Sequence, residues 1–146
     1  MPNLDNILKE IDYALNVLFE PTKTKAKDLE LNNEAKKESQ RVMRVNHMGE
    51  VCAQALYRGQ AISTNDASLK KIILEMCNEE KEHLDMLNVR MSELDGKTSY
   101  LNTIWYMSSF ALGTYVGTLE KNKSFGFIYE TEEQVEAHLD EYSKKL

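Results

Sequence analysis

Apolar residues recur along the first stretch of the chain at intervals of three and four: Leu4, Leu8, Ile11, Leu15 and Leu18 form one stripe, and Asp5, Lys9, Glu10 and Asp12 fall off it. That spacing predicts an amphipathic helix over 3–19. Pro21 and the polar run 22–33 interrupt the pattern, and Asn32 or Asn33 offers an N-cap for a second helix. From 34 to about 64 nothing breaks a long helix, which at about 1.5 Å per residue spans more than 40 Å. Ser63-Thr64-Asn65-Asp66 supplies a turn and a cap, and Leu69, Ile73, Met76, Leu87, Met91 and Leu94 predict a third helix over 66–95, ending at Asp95-Gly96. A last stripe, Phe125, Ile128, Glu132, Val135, Leu139, Tyr142 and Leu146, predicts a helix over 123–146. Long helices joined by tight turns pack antiparallel, so the expectation is a single all-α domain over 1–146, an antiparallel helix bundle.

Between these segments, 98–119 is a run of 22 residues without a charge, predicted helical over 100–119. The length is that of a membrane span, but eight of its residues are Ser, Thr or Asn and two are Gly. Tyr100, Trp105, Tyr106 and Tyr115 are aromatics that favour the membrane–water boundary. A buried connecting helix, an interfacial segment and a true span all fit the pattern. Gly113-x-x-x-Gly117 signals close helix packing and nothing more specific.

The 146 residues suit one domain. Eighteen Lys+Arg against 24 Asp+Glu give a net charge of −6, which repels polyanions and excludes nucleic acid as an expected partner. Six Gly and two Pro beside 42% hydrophobic residues support a packed helical chain. Cys52 and Cys77 sit in helix-like stretches and no signal-peptide pattern opens the sequence, so buried thiols in a reducing cytoplasm are expected.

Ionisable residues occupy places in these stripes where apolar ones belong. The third helix reads Leu69, Ile73, Met76, Glu80, His83, Leu87, Met91, which puts Glu80-x-x-His83 on the inward face. Glu132 lies between Ile128 and Val135, and Met43, His47, Glu50, Ala53 and Tyr57 share one face of the second helix. A buried carboxylate costs several kcal/mol unless something pairs with it. A divalent metal is the economical counter-charge, and carboxylate with imidazole suits iron, manganese or zinc. Bundle di-iron sites take one Glu from each of two helices and a Glu-x-x-His from each of two others. A solvated salt-bridge face also produces Glu-x-x-His by chance. His47 either orients Glu50 or is a satisfied core histidine, and Tyr57 either lines a substrate path or packs.

The string Arg44-Val-Asn-His-Met-Gly-Glu50-Val-Cys-Ala-Gln-Ala-Leu-Tyr57-Arg-Gly-Gln60 resembles the first metal-ligand helix of the demethoxyubiquinone hydroxylase family, and Glu79-Glu80-Lys81-Glu82-His83-Leu84 resembles its second. Ser99-Tyr-Leu-Asn102, Trp105-Tyr106, Phe110-Ala-Leu-Gly113 and Glu130-Thr-Glu132-Glu-Gln-Val-Glu-Ala-His138-Leu139 continue the resemblance in the family's order. The resemblance implies a ferritin-like bundle holding two iron ions, an O₂-dependent monooxygenase that hydroxylates a demethoxy-polyprenyl benzoquinol in ubiquinone biosynthesis. By matching position its metal ligands here are Glu50, Glu80, His83 and Glu132. His138 matches a family histidine associated with proton and electron delivery, although an exposed helical histidine would read the same. The resemblance further implies NADH as electron donor, other ubiquinone-biosynthesis proteins as partners, and a peripheral seat on the cytoplasmic face of the cell membrane, where the substrate's isoprenoid tail lies.

The histidines depart from that pattern. The only ones are His47, His83 and His138, and the residues three before them are Arg44, Glu80 and Val135, so a single Glu-x-x-His exists. The last stripe still runs at Leu146, which makes the expected bundle incomplete at its C-terminus. A piece of a longer protein, a short form without activity, or a homodimer pooling two Glu50 and two Glu80/His83 pairs would each account for this. An uncovered inner face predicts self-association. The rival class is a non-catalytic ferritin-like metal-binding or scaffold protein.

Overall fold

The computed structural model describes residues 4–19, 32–119 and 121–143. Side chains at 121, 122, 135, 136 and 138–143 lie outside the described residues, as do the expected break at Pro21 and the end of the last stripe at Leu146. Five helices run in chain order: α1 (Leu4–Phe19), α2 (Asn33–Ser63), α3 (Ala67–Glu93), α4 (Asn102–Gly117) and α5 (Lys121–Ser143), with no strand among the described residues. Their ends have local causes. The Asn32 side chain accepts from the Ala35 N–H at 2.8 Å and starts α2, and Asp66 accepts from the Leu69 N–H at 2.8 Å and starts α3. Asp95 takes a left-handed backbone, φ 51°, which lets the Gly96 N–H close onto the Met91 carbonyl at 2.8 Å and stop α3.

Side-chain pairs fix how the helices run. Lys36 meets Asp95, Gln40 the Leu94 carbonyl, His47 Asn88, and Gln54 the Cys77 carbonyl, so α3 descends as α2 ascends. Between α2 and α4 the matched positions rise together: His47 with Asn102, Leu56 with Gly113, and Gln60 with Gly117. Consecutive helices thus alternate in direction, and α4, as the alternate of α2, runs parallel to it. Gly59 and Gly113 permit that contact at backbone distance. A Cβ on Gly113 would fall on the Leu56 carbonyl oxygen, and one on Gly59 would stand 2.7 Å from the Thr114 nitrogen.

Two apolar clusters fill the interior. Leu56, Tyr57, Ala61, Leu69, Ile73, Cys77 and Ile128 join α2, α3 and α5. Val17, Val51, Ala55, Leu84 and Tyr106 join α1 to α2, α3 and α4.

α1 is rotated away from the expectation from its stripe, of which only Leu18 is half-buried and packs on the core. Leu4, Leu8, Ile11 and Leu15 are all more than half exposed, and the inner face carries Glu10, Tyr13 and Val17. The Arg58 guanidinium grips the Glu10 carboxylate with two hydrogen bonds, 2.8 Å from Nε and 2.5 Å from Nη2, with each side chain only 18% exposed. It also lies 4.3 Å above the Tyr13 ring centre, and the Tyr13 hydroxyl reaches Gln54 Oε1 and, at 3.2 Å, Cys77 Sγ. These polar ties would be lost if the apolar stripe faced inward. On α4, Asn102, Tyr106, Gly113 and Val116 are buried, whereas Ile104, Trp105, Met107 and Tyr115 face out, so a wholly buried connector is not what forms. Among the described residues no helix is long and apolar enough to cross a membrane.

Candidate metal centre

The antiparallel register of α2 and α3 sets Glu50 opposite Glu80. One ligand atom from each of Glu50, Glu80 and His83 lies within 4.8 Å of the other two. The His83 Nδ1 stands 3.2 Å from Glu80 Oε2, a neighbouring pair one turn apart on α3. Glu50 is half-buried, and burial, a hydrogen bond shared with Glu80 and repulsion from Glu80 and Glu132 push its carboxyl up to about 9. Carboxylates so placed repel one another, and a divalent cation would relieve all of them at once.

Glu132 approaches from α5, half-buried, and accepts a hydrogen bond from the buried Tyr57 hydroxyl. It lines the same cavity as the other three, a space of about 720 Å³ whose wall includes Met43, Met48, Met86 and Leu87 beside Asn46 and Arg90. Glu132 does not join the tight group of three. The Tyr57 ring belongs to the core cluster, and its hydroxyl stands on the cavity wall beside Glu132.

One placement differs from expectation, and one settles between the two alternatives stated for it. His83 is not interior, since its side chain is 54% exposed. The buried stripe of α3 is Leu69, Ile73, Cys77, Leu84 and Met91, so the helix is rotated by about one residue and Leu84, next to His83, takes the core position. His47, three residues before Glu50, is 3% exposed; its ring nitrogens meet Asn88 Oδ1 at 2.9 Å and Asn102 Nδ2 at 3.3 Å. It is the satisfied core histidine. His138 lies on α5, with its side chain outside the described residues. Both cysteines are free, Cys77 buried and Cys52 half-buried, and burial pushes both thiols up, which keeps them protonated.

Sequence reasoning missed the residues that hold these side chains in place. Asn88 and Asn102 hold His47, Arg58 holds Glu10, and Tyr57 holds Glu132 across 75 residues of chain. No local spacing encodes such pairings. Arg58 with Gln54 and Gln60, inside the otherwise mainly apolar span 51–61 of α2, was the available signal.

The donors fit iron in chemical type, with carboxylate oxygen and imidazole nitrogen and no thiolate among them. They amount to one Glu-x-x-His and two further Glu, the pattern of helical bundles that carry carboxylate-bridged metals. The comparisons with known proteins place the chain within that class. A family profile described as Ubiquinone biosynthesis protein COQ7 matches residues 37–146, and the chain belongs to that family. A 3-demethoxyubiquinol 3-hydroxylase from Nitrosospira multiformis is 42% identical over all of this chain and 74% of its own length. Relatives of the same description from Nitrosomonas eutropha and Bordetella avium are each 43% identical, over 100% and 98% of this chain and 74% and 69% of their own lengths. No solved structure matches.

Proposed function

We propose that the chain is an O₂-dependent monooxygenase that hydroxylates a demethoxy-polyprenyl benzoquinol in ubiquinone biosynthesis, with Glu50, Glu80, His83 and Glu132 as this chain's ligands to a pair of irons. The observation that carries the reading is the convergence of Glu50, Glu80 and His83 within 4.8 Å on the wall of a mainly apolar cavity, in a chain whose relatives are 3-demethoxyubiquinol 3-hydroxylases. Iron bound there would supply electrons to split O₂, one oxygen entering a ring C–H bond and the other leaving as water, with NADH restoring the two electrons spent.

The chain's own residues do the rest. Met43, Met48, Met86 and Leu87 offer the substrate's hydrocarbon part an apolar, adaptable wall. Asn46 and Arg90 stand on the same wall as polar groups for the ring oxygens. The outward faces of α1 and α4, with Leu8, Ile11, Ile104 and Trp105, favour a peripheral seat on the cytoplasmic face of the cell membrane, where a polyprenyl substrate is found.

The test is O₂ uptake by iron-loaded protein with and without the quinol, with product identified by its gain of one oxygen. Glu80→Ala should abolish the quinol-dependent uptake, and retained activity would sink the ligand assignment. Iron binding without any quinol-coupled uptake would instead favour the non-catalytic metal-binding reading.

A further inference from the structure

Tyr57 is fully buried, and its ring packs with Leu56, Ile73 and Ile128 in the cluster that joins α2, α3 and α5. A phenylalanine would fill that volume as well. The hydroxyl instead emerges at the cavity wall and donates to Glu132 Oε1, so one oxygen of that carboxylate is already engaged from outside its own helix. Glu132 is the one proposed ligand that lies outside the tight group of Glu50, Glu80 and His83. Its carboxylate ends a side chain with three rotatable bonds, on a helix that meets α2 and α3 mainly through Ile128 and its neighbours. Something must choose its direction. We infer that Tyr57 is a positioning residue: its hydroxyl holds Glu132 facing Glu50 and Glu80, so that α5 delivers its carboxylate to the cation the other three side chains bind. The inference rests on the metal-site reading above. An outer hydrogen bond of this kind typically changes metal affinity by about 10–100-fold when removed, because the ligand must then be ordered at the moment of binding.

Co(II) serves as the probe, since its visible absorption reports the number and kind of ligands without any turnover. The full chain, Tyr57→Phe, Glu132→Gln and the double variant are titrated anaerobically, with thermal melts recorded for each. The expected result is a Tyr57→Phe affinity about tenfold or more below the unsubstituted chain, a visible spectrum shifted toward that of Glu132→Gln, and a double variant no weaker than Glu132→Gln alone. Wild-type affinity and spectrum in Tyr57→Phe, while Glu132→Gln is impaired, would overturn the inference. So would losses that add in the double variant, which is what simple damage to packing gives. Glu80→Ala separates this from failure of the metal reading: if the unsubstituted chain and Glu80→Ala bind Co(II) alike, the site itself is wrong and the role of Tyr57 falls with it.

Discussion

At the scale of single residues, two ionisable groups on α2, buried His47 and half-buried Glu50, pull stability in opposite directions with pH. Burial lowers the His47 pKa below the ordinary 6.5, so the unfolded chain takes the proton first. The stability His47 contributes is present above about pH 6.5 and is lost as pH falls from there toward the folded value. Protonation would also set two donors against each other where Asn102 Nδ2 meets the ring. Glu50 behaves the other way: its carboxyl is raised from 4.5 to about 9, so its contribution is present below about 4.5 and is lost as pH rises through the interval to about 9. Denaturant melts of metal-free protein between pH 5 and 9 check both signs. Relative to His47→Gln, the unsubstituted chain should lose stability toward pH 5; relative to Glu50→Gln, it should lose stability toward pH 9. Glu50→Gln should accordingly melt higher at neutral pH while binding metal poorly, a group kept for the site at a cost to the fold. The types and spacing of Glu50, Glu80 and His83 were legible in the sequence. The outward position of His83 was not, because a one-residue rotation of α3 leaves the periodicity almost unchanged.

Among the elements, the α2/α4 contact is the one most sensitive to a methyl group. Gly113→Ala would drive a Cβ onto the Leu56 carbonyl oxygen, and since both sides are backbone neither can yield without the helices parting. A loss of about 1–3 kcal/mol is expected, typical of overpacking a tight interior. Gly126 sits in the body of α5 with no atom of the described residues within 4 Å of an added Cβ, so Gly126→Ala should gain about 1 kcal/mol from helix propensity alone. Thermal melts of the two variants make a matched pair, and equal behaviour would refute the contact. The Gly113-x-x-x-Gly117 spacing announced close packing but not its partner. α1 shows the same limit: its stripe told which side was apolar, and Arg58, Gln54 and Cys77 on other helices decided which side faced in.

For the whole molecule, the consequence is a set of large apolar side chains on the outer faces of α1 and α4. Leu4, Leu8, Ile11 and Leu15 on α1 and Ile104, Trp105 and Tyr115 on α4 all face out, and α1 packs beside α4 through Val17 and Tyr106. Binding to neutral phospholipid vesicles should result from this surface, and Ile11→Glu with Ile104→Glu should weaken it at least roughly tenfold while leaving the melting temperature nearly unchanged. With a net charge of −6, anionic vesicles should bind less well than neutral ones, and added salt should narrow the difference. Flotation across a density gradient reads both effects. Tighter binding to anionic vesicles, or no change on substitution, would remove these faces from the proposed membrane seat.

The sequence by itself determined the helices, the cap of α2 to within Asn32 or Asn33, the turn and cap at Ser63-Thr64-Asn65-Asp66, the reversal at Asp95-Gly96 and the residue types of the site, because caps, turns and three-to-four spacing are local properties of neighbouring residues. The family strings around Glu50, Glu80 and Glu132 extended that legibility to the chemistry. Only the tertiary structure decided that α4 lies parallel against α2, that α1 turns Glu10 and Tyr13 inward with Val17, that His47 belongs to the core and that Tyr57 reaches Glu132. Each of these is a choice of rotation or partner between segments far apart in the chain. Its free energy resides in pairs of side chains from different helices, and a pattern read along one helix does not contain them.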